Sequence, residues 1–277
     1  MAVKPQKTRV TGVRPDFATL VGLLIAAVGI VGGLLLEGGS IQEILAPTAL
    51  LIVLGGTAGA VMVTTPMSVL LSASRKIYLI FFDQAIRPEQ IVEEVIGFAA
   101  KARKSGIVSL EQDADEASHP FLRKALMLAI DGNDLQEIRK MMEIEISMEE
   151  HYVDAEARVF ESAGGYAPTI GIIGAVMGLI QVMKHLDNLD EVGRGIATAF
   201  VATIYGVGFA NVFFLPAGAK IKARAEQSAR MKELMLEGVV GIVEGLNPKV
   251  IRGRLDAYIH GQAEERRGAT GRRSGPE

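Results

Sequence analysis

The feature that most constrains this 277-residue chain is a set of four uncharged, apolar runs, at 17–36, 47–65, 162–183 and 195–219. A bilayer core about 30 Å thick needs about 20 apolar residues in a helix to span it. Hydrophobic residues make up 49% of the chain and glycine is frequent, at 31 residues, as is typical of close-packed membrane helices. We therefore predict an all-α integral membrane protein with four transmembrane helices and a helical cytoplasmic insertion between the second and third.

Two other interpretations of these runs are weaker. A secretory signal peptide would have a shorter apolar stretch, followed by a small-residue cleavage site. The first run is too long, and no such site follows it. Buried helices of a soluble protein are disfavoured by the length of the runs.

The basic residues indicate the orientation in the membrane. Lys and Arg precede the first run and follow the second and fourth, whereas the first loop, "EGGSIQE", has none. Because basic residues favour the cytoplasmic side, both termini and the long middle segment are predicted to be cytoplasmic. The loop "KHLDNLDEVGR" between the third and fourth runs is mixed in charge and fits the outer side less cleanly.

The chain divides into six predicted segments. They are a cytoplasmic N-terminal segment at 1–15, a first transmembrane hairpin at 16–74, a cytoplasmic helical domain at 75–161, a second transmembrane hairpin at 162–219, cytoplasmic helices at 220–260 and a disordered tail at 261–277. In the middle domain, helices are predicted from Pro88 to about Gly106, in "PFLRKALMLAIDGND", and along "LQEIRKMMEIEISMEEHYVDAEARVFESAG", which leads into the third span.

No constellation of residues points to catalysis. The chain has no cysteine and four histidines, and it contains no zinc-type motif, phosphate-binding loop, dinucleotide fingerprint or Gly-x-Ser-x-Gly. We expect no enzyme activity, no metal, no cofactor and no nucleic-acid partner. The spans also lack Asp, Glu, Lys, Arg and His, although proton-carrying proteins place such residues in the membrane. If ions pass here, a partner helix must supply the carboxylate.

Small residues form a stripe on the third run. Gly171, Gly174 and Gly178 share one helical face with Ala175 beside them, which lets another helix approach closely. That helix can belong to a partner subunit or to the chain's own hairpin, and the sequence leaves both open.

Two prolines and a few hydroxyls are the other marked features of the second hairpin. Pro168 and Pro216 each interrupt backbone hydrogen bonding near a membrane face, either as a static kink or as a hinge. Thr203 and Tyr205 are among the few polar groups of the fourth run.

Several motifs resemble one known family. "YAPTIGIIGAVMGLIQVM", "GIATAFVATIYGVGFANVFFLPAGAKIKARAE" and "EGLNPKVIRGRLDAYI" are similar to the A subunit of the flagellar motor stator, the MotA/PomA family. "PDFATLVGLL", "LLIVLGGTAGA" and "KARKSGIVSLE" fit in family order, so the resemblance covers roughly 16–260. It implies an ion-driven rotary unit of five A subunits around two single-span B subunits, whose aspartate carries the ion.

The resemblance also implies roles for individual residues. The family's contacts with the rotor's switch-complex protein fall on Arg103, Lys104 and Glu111, and its two functional prolines on Pro168 and Pro216. Its sodium-associated threonines fall on Ala175, Ala202 and Thr203, of which one is a threonine here, so protons are favoured over sodium as the coupling ion. The implied ion path is lined by Ala175, Thr203, Tyr205 and the two prolines.

Two alternatives remain. One is an ion-driven energiser of the ExbB/TolQ type, although such proteins have three spans and lack the extra N-terminal hairpin. The other is a scaffold without an ion path.

Overall fold

The structure, a computed structural model, describes residues 13–84, 87–184 and 186–271, and this part of the chain is almost entirely helical. The α-helices are α1 (Phe17–Leu36), α2 (Pro47–Thr64), α3 (Met67–Phe81), α4 (Pro88–Ser105), α5 (Glu111–Asp115), α6 (Pro120–Ile130), α7 (Leu135–Lys184), α8 (Leu189–Gly208), α9 (Leu215–Val243) and α10 (Pro248–Gly271). A π-helical segment, Phe209–Phe214, joins α8 to α9, and short 3-10 turns cover Ile41–Ile44 and Ile107–Leu110. Strands β1 (Val13–Pro15) and β2 (Phe82–Gln84) pair in a two-stranded sheet.

The four predicted spans are confirmed as helices. Four helical stretches of the described chain are long and apolar enough to cross a membrane. The first two, α1 and α2, agree with the predicted runs to within one residue. The third and fourth are parts of longer helices, because α7 and α9 continue through polar sequence that favours helix.

Local chemistry explains where the first two spans begin and end. The Asp16 side chain caps α1 by accepting a hydrogen bond from the Thr19 amide at 3.0 Å. After Glu37 the chain turns at Gly38, whose φ of +84° suits a residue without a side chain. Pro47 begins α2, a position where the missing amide hydrogen costs nothing.

Two elements differ from the sequence-based expectation. The first is α3, an amphipathic helix that Pro66 separates from α2. It was not predicted as a separate helix, because the uncharged sequence of α2 continues into its first turns. The second is α10, which continues to Gly271 and so extends into the segment predicted to be disordered from residue 261. Its Ala, Gln, Glu and Arg residues are good helix formers. Residues 1–12 and 272–277 of the predicted terminal segments lie outside the described residues.

The described chain forms two compact units. The first contains residues 84–150 and the part of the chain from residue 226 onward, and the second contains residues 14–83 and 151–225. Helices α7 and α9 each contribute residues to both units.

The first unit has a continuous apolar core. Fully buried side chains from α4, α6, α7, α9 and α10 meet there, and they include Val95, Leu122, Leu126, Ile138, Met142, Met235, Val239 and Leu255. Gly238 lies against this core, since a methyl group at that position would come within 2.6 Å of a Val95 methyl carbon. Close packing of this kind makes the unit intolerant of larger residues.

The second unit has smaller clusters. In one cluster, Ala73 and Ile80 of α3 pack with Phe160 of α7 and Ile221 of α9. Another joins α2 to α8 through Ala49, Val53, Val201 and Ala202. No residue of α1 is buried. An uncharged helix so exposed is suited to contact with lipid.

Candidate functional site

The second hairpin is held together by a seam of very small residues, which we call the glycine seam. On α7 it contains Gly171, Gly174 and Gly178. A methyl group at 171 would lie 2.9 Å from the Ala202 carbonyl oxygen, and one at 178 would lie 3.1 Å from the Ala199 Cβ. Real Cβ atoms do not come as near as the contact at 171, and a side chain at 178 would require its neighbours to shift.

The glycine seam identifies one helix that packs on the small residues of the third span. The three glycines contact α8 of the same chain, which a short loop brings back against α7. The interpretation of Gly171, Gly174 and Gly178 as a packing surface for a partner subunit stays a prediction.

The α8 side of the seam was missed from the sequence. Gly195, Ala199, Ala202 and Gly206 occupy one face of α8 and meet the α7 glycines. A methyl group at 206 would lie 2.5 Å from the Ala167 carbonyl oxygen. The signal was present, since the four small residues recur at spacings of four, three and four, which matches a single helical stripe.

The two prolines occupy different backbone environments. Pro168 lies inside α7, which continues past it, and a methyl group at Gly206 would be 3.2 Å from its Cα. Pro216 follows the π-helical segment, in which the Leu215 amide donates to the Ala210 carbonyl. A proline and a π-helical segment are both local departures from regular α-helix hydrogen bonding.

The hydroxyls predicted to line an ion path make contacts within the chain. Thr203 Oγ1 donates to the Ala199 carbonyl at 3.4 Å. The Tyr205 hydroxyl donates to the Ile44 carbonyl at 2.5 Å and accepts from the Ala46 amide at 3.4 Å. Tyr205 therefore fixes the start of α2 against α8. Ala175, the other predicted lining residue, is half-buried. Whether these residues line a path stays a prediction.

Charge is concentrated at the ends of the spans. Asp16, the cap of α1, lies 2.5 Å from Lys220 Nζ and 2.7 Å from Arg224 Nη2 on α9. Burial alone would raise the pKa of Asp16, but hydrogen bonds from Lys220, the Thr19 amide and Arg224 lower it to about 2. This cluster, which we call the Asp16 clasp, ties the first hairpin to the helix that follows the fourth span.

A second ion pair, with a buried carboxylate, joins α3 to α7. Glu156 is buried and its Oε2 lies 2.5 Å from Lys76 Nζ, while Oε1 accepts from the Ser72 hydroxyl. A buried carboxylate is tolerated when it is paired in this way. Neither this pair nor the Asp16 clasp was foreseen, because the partners are far apart in sequence.

The residues predicted to contact a rotor lie together in the first unit. Arg103 and Lys104 occupy the last turn of α4, and Glu111 begins α5 after the turn Ile107–Leu110. All three are exposed. We call this region, residues 103–111, the charged turn. Gly106, with φ +81°, lets the chain reverse between the two helices.

The fold and the seam define a multi-pass helical membrane protein with a closely packed second hairpin. The family described as "MotA/TolQ/ExbB proton channel family" matches residues 113–234, and "Motility protein A N-terminal" matches residues 20–105. Motility protein A of Bacillus subtilis (strain 168) is 34% identical over 245 residues, which cover 88% of this chain and 91% of that protein. Chemotaxis protein PomA of Vibrio alginolyticus is 30% identical, with coverage of 88% and 96%.

Solved structures agree. The structure of C. jejuni MotAB has a TM-score of 0.83 and 31% identity, and the match covers 88% of this chain and 95% of that one. The flagellar MotAB stator complex from Bacillus subtilis has a TM-score of 0.81 and 34% identity, with coverage of 87% and 95%. The chain belongs to the MotA/TolQ/ExbB proton channel family, as the sequence motifs predicted.

Proposed function

We propose that this chain is the ion-conducting A subunit of a bacterial flagellar motor stator, which couples inward ion flow to rotation. The observation that carries the proposal is a match to motility proteins along 88% of the chain, including both hairpins and the cytoplasmic insertion. The match over residues 20–105 to the N-terminal part of motility protein A favours a stator over an ExbB/TolQ-type energiser.

The chemistry of the spans supports an ion path shared with another chain. None of the four predicted spans carries Asp, Glu, Lys, Arg or His, so the titrating carboxylate comes from a single-span B subunit. Five copies of this chain would surround two B subunits in the inner membrane, with both termini cytoplasmic. Because each charge that crosses about 100 mV releases on the order of 2.3 kcal/mol, ion passage can drive a step between two packed arrangements.

Protons are proposed as the coupling ion. Of the three positions that carry sodium-associated threonines in the resemblance, this chain has Ala175, Ala202 and Thr203. Ala202 is buried in the glycine seam, where its Cβ faces Gly174. Torque would pass to the rotor through Arg103, Lys104 and Glu111.

Complementation tests the function and the ion together. The chain and its B partner would be expressed in a motile strain that lacks its own stator, and rotation would be followed with tethered cells. We expect rotation that persists when the sodium gradient is collapsed and stops when the proton gradient is collapsed. Replacement of the B-subunit aspartate by asparagine is the matched control and should stop rotation. Cells that do not rotate although both chains reach the membrane would contradict the stator function, and rotation lost with sodium alone would contradict the ion.

A further inference from the structure

The charged turn displays one large apolar side chain, that of Val108, which is 64% exposed. Its neighbours on the same 3-10 turn behave differently, since Leu110 is fully buried and Ile107 packs against the core of the first unit. Isolated exposed apolar residues are common on protein surfaces, so exposure alone identifies no site. The position of Val108 among charges is what distinguishes it.

Those charges form no ion pairs with described residues. Within the described part of the chain, Arg103, Lys104 and Glu111 have no ion-pair partner, although nearby acids and bases are paired. Lys101 Nζ lies 2.6 Å from Asp113, and Arg123 Nη2 lies 2.7 Å from Asp115. The basic residues lie at the C-terminal end of α4 and Glu111 at the N-terminal end of α5, where the helix dipoles favour these signs. The dipoles do not explain an exposed apolar side chain between these charges.

The charged turn is held in place by its own contacts. The Gly106 amide donates to the Ala102 carbonyl at 2.8 Å, and Ser109 Oγ donates to the Gly106 carbonyl at 2.7 Å. Leu110 and Ala114 are completely buried and fix the following helix. Little ordering is therefore needed before another surface can bind, and preorganisation of this kind favours affinity.

We propose that Val108 is the apolar anchor of the rotor contact, an inference that rests on the proposed function. It inserts into an apolar depression on the partner protein, whose rim carries an acidic group facing Arg103 and Lys104 and a basic group facing Glu111. Exposed charge pairs contribute little singly, and interface energy is concentrated in the desolvated centre. A bilayer is a poor occupant, because an anionic surface that attracts Arg103 repels Glu111.

The test uses the full complex with its B partner in motile cells, and the purified complex with the host's purified rotor switch-complex protein. Val108→Asp should stop rotation, and Val108→Ala should weaken binding about tenfold, since the buried methyl groups are lost. Val108→Ile should retain both. Val250, 53% exposed on α10 in the same unit, is the matched control, and Val250→Asp should leave rotation unchanged.

The outcomes separate this inference from the proposed function. Normal rotation and binding with Val108→Asp would overturn the anchor, and loss caused equally by Val250→Asp would overturn it too. If Arg103→Glu with Lys104→Glu leaves rotation intact, the rotor contact itself is wrong. Oligomer size and membrane content are measured for every variant. If Val108→Asp instead breaks the ring of copies of this chain, the occupant is a second copy and the inference is overturned.

Discussion

At the scale of single residues, His119 illustrates how a neutral imidazole supports a helix. Its Nδ1 accepts a hydrogen bond from the Phe121 amide at 3.1 Å, which caps α6. Burial lowers the pKa of His119, and the charge of Lys232 lowers it further, against the opposing effects of Glu149 and Glu145. Lys232 is itself buried over the Phe121 ring and paired with Glu149. Protonation at Nδ1 would remove the cap and add a charge beside Lys232.

This geometry predicts a local dependence on pH. Because the folded-state pKa lies below the unfolded value of about 6.5, the unfolded state binds more protons between the two values. The stabilisation is complete above pH about 6.5 and is lost as the pH falls through the folded pKa. Amide hydrogen exchange in the first turn of α6, corrected for the intrinsic rate, should therefore accelerate on acidification of the purified complex.

Substitutions at His119 separate the cap from the titration. His119→Asn retains a cap without a titrating group, so the pH dependence should vanish while protection at neutral pH persists. His119→Ala should cost about 1 kcal/mol at neutral pH, and this cost should shrink as acid removes the cap from the unmutated chain. His151 is exposed on α7, and His151→Asn should change nothing. An unchanged pH profile in His119→Asn would refute the assignment.

Features carried by a short local motif could be predicted from the sequence, and contacts between distant residues could not. The exposed residues Arg103, Lys104 and Glu111 could be named because a local motif carries them. The Asp16 clasp could not, since Asp16 and Lys220 are joined only by the tertiary fold and nothing in either local sequence indicates the other. With its pKa of about 2, Asp16 stays ionised near neutral pH, so its ion pairs with Lys220 and Arg224 persist there.

At the scale of elements, the fourth span shows how a π-helical segment and a proline occur together. The segment Phe209–Phe214 ends two residues before Pro216. Asn211 Nδ2 donates to the Val207 carbonyl at 2.9 Å, so a side chain adds a hydrogen bond to the irregular backbone. Hydrophobicity cannot reveal such a segment, because π and α turns accept the same residues. The proline was visible in the sequence, and its local backbone was not.

The third span offers a test of the hinge. Pro168 denies the Gly164 carbonyl an amide partner in the middle of α7. Pro168→Ala should restore that hydrogen bond and raise the stability of the complex by up to about 3 kcal/mol, measured as an increase in Tm. If Pro168 is a hinge, rotation should stop although the complex becomes more stable.

Opposite changes in stability and torque are the signature of the hinge. Pro88 begins α4, where its missing amide is harmless, and Pro88→Ala should leave both stability and rotation nearly unchanged. A Pro168→Ala complex that is more stable and still rotates normally would identify a static kink.

At the scale of the whole molecule, the spans were predictable because the bilayer imposes a length and an apolar composition on every helix that crosses it. The continuation of α7 through 50 residues followed from amphipathic sequence that runs unbroken into an apolar run. The borders of the two compact units were harder to predict from the sequence. Their borders at residues 83, 150 and 225 follow packing, whereas the sequence-based segments were divided where charge begins.

The candidate site was predictable only in part for a related reason. The stripe of Gly171, Gly174 and Gly178 indicates that some helix packs closely, but a stripe on one helix does not identify its partner. The partner became evident from the second stripe on α8, through Ala199 and Ala202, once the two were seen in contact.

The glycine seam has a consequence for inheritance. A methyl group at 174 would lie 2.9 Å from the Ala202 Cβ, so Gly174→Ala should cost about 1–3 kcal/mol through overpacking. Ala202→Gly removes the facing methyl, so motile revertants of Gly174→Ala should map to Ala202, on the other helix. Equal recovery from Ala197→Gly, on the exposed face of α8, would contradict this pairing. The two positions would then evolve together, because a larger residue at 174 is tolerated only after the residue at 202 has become smaller.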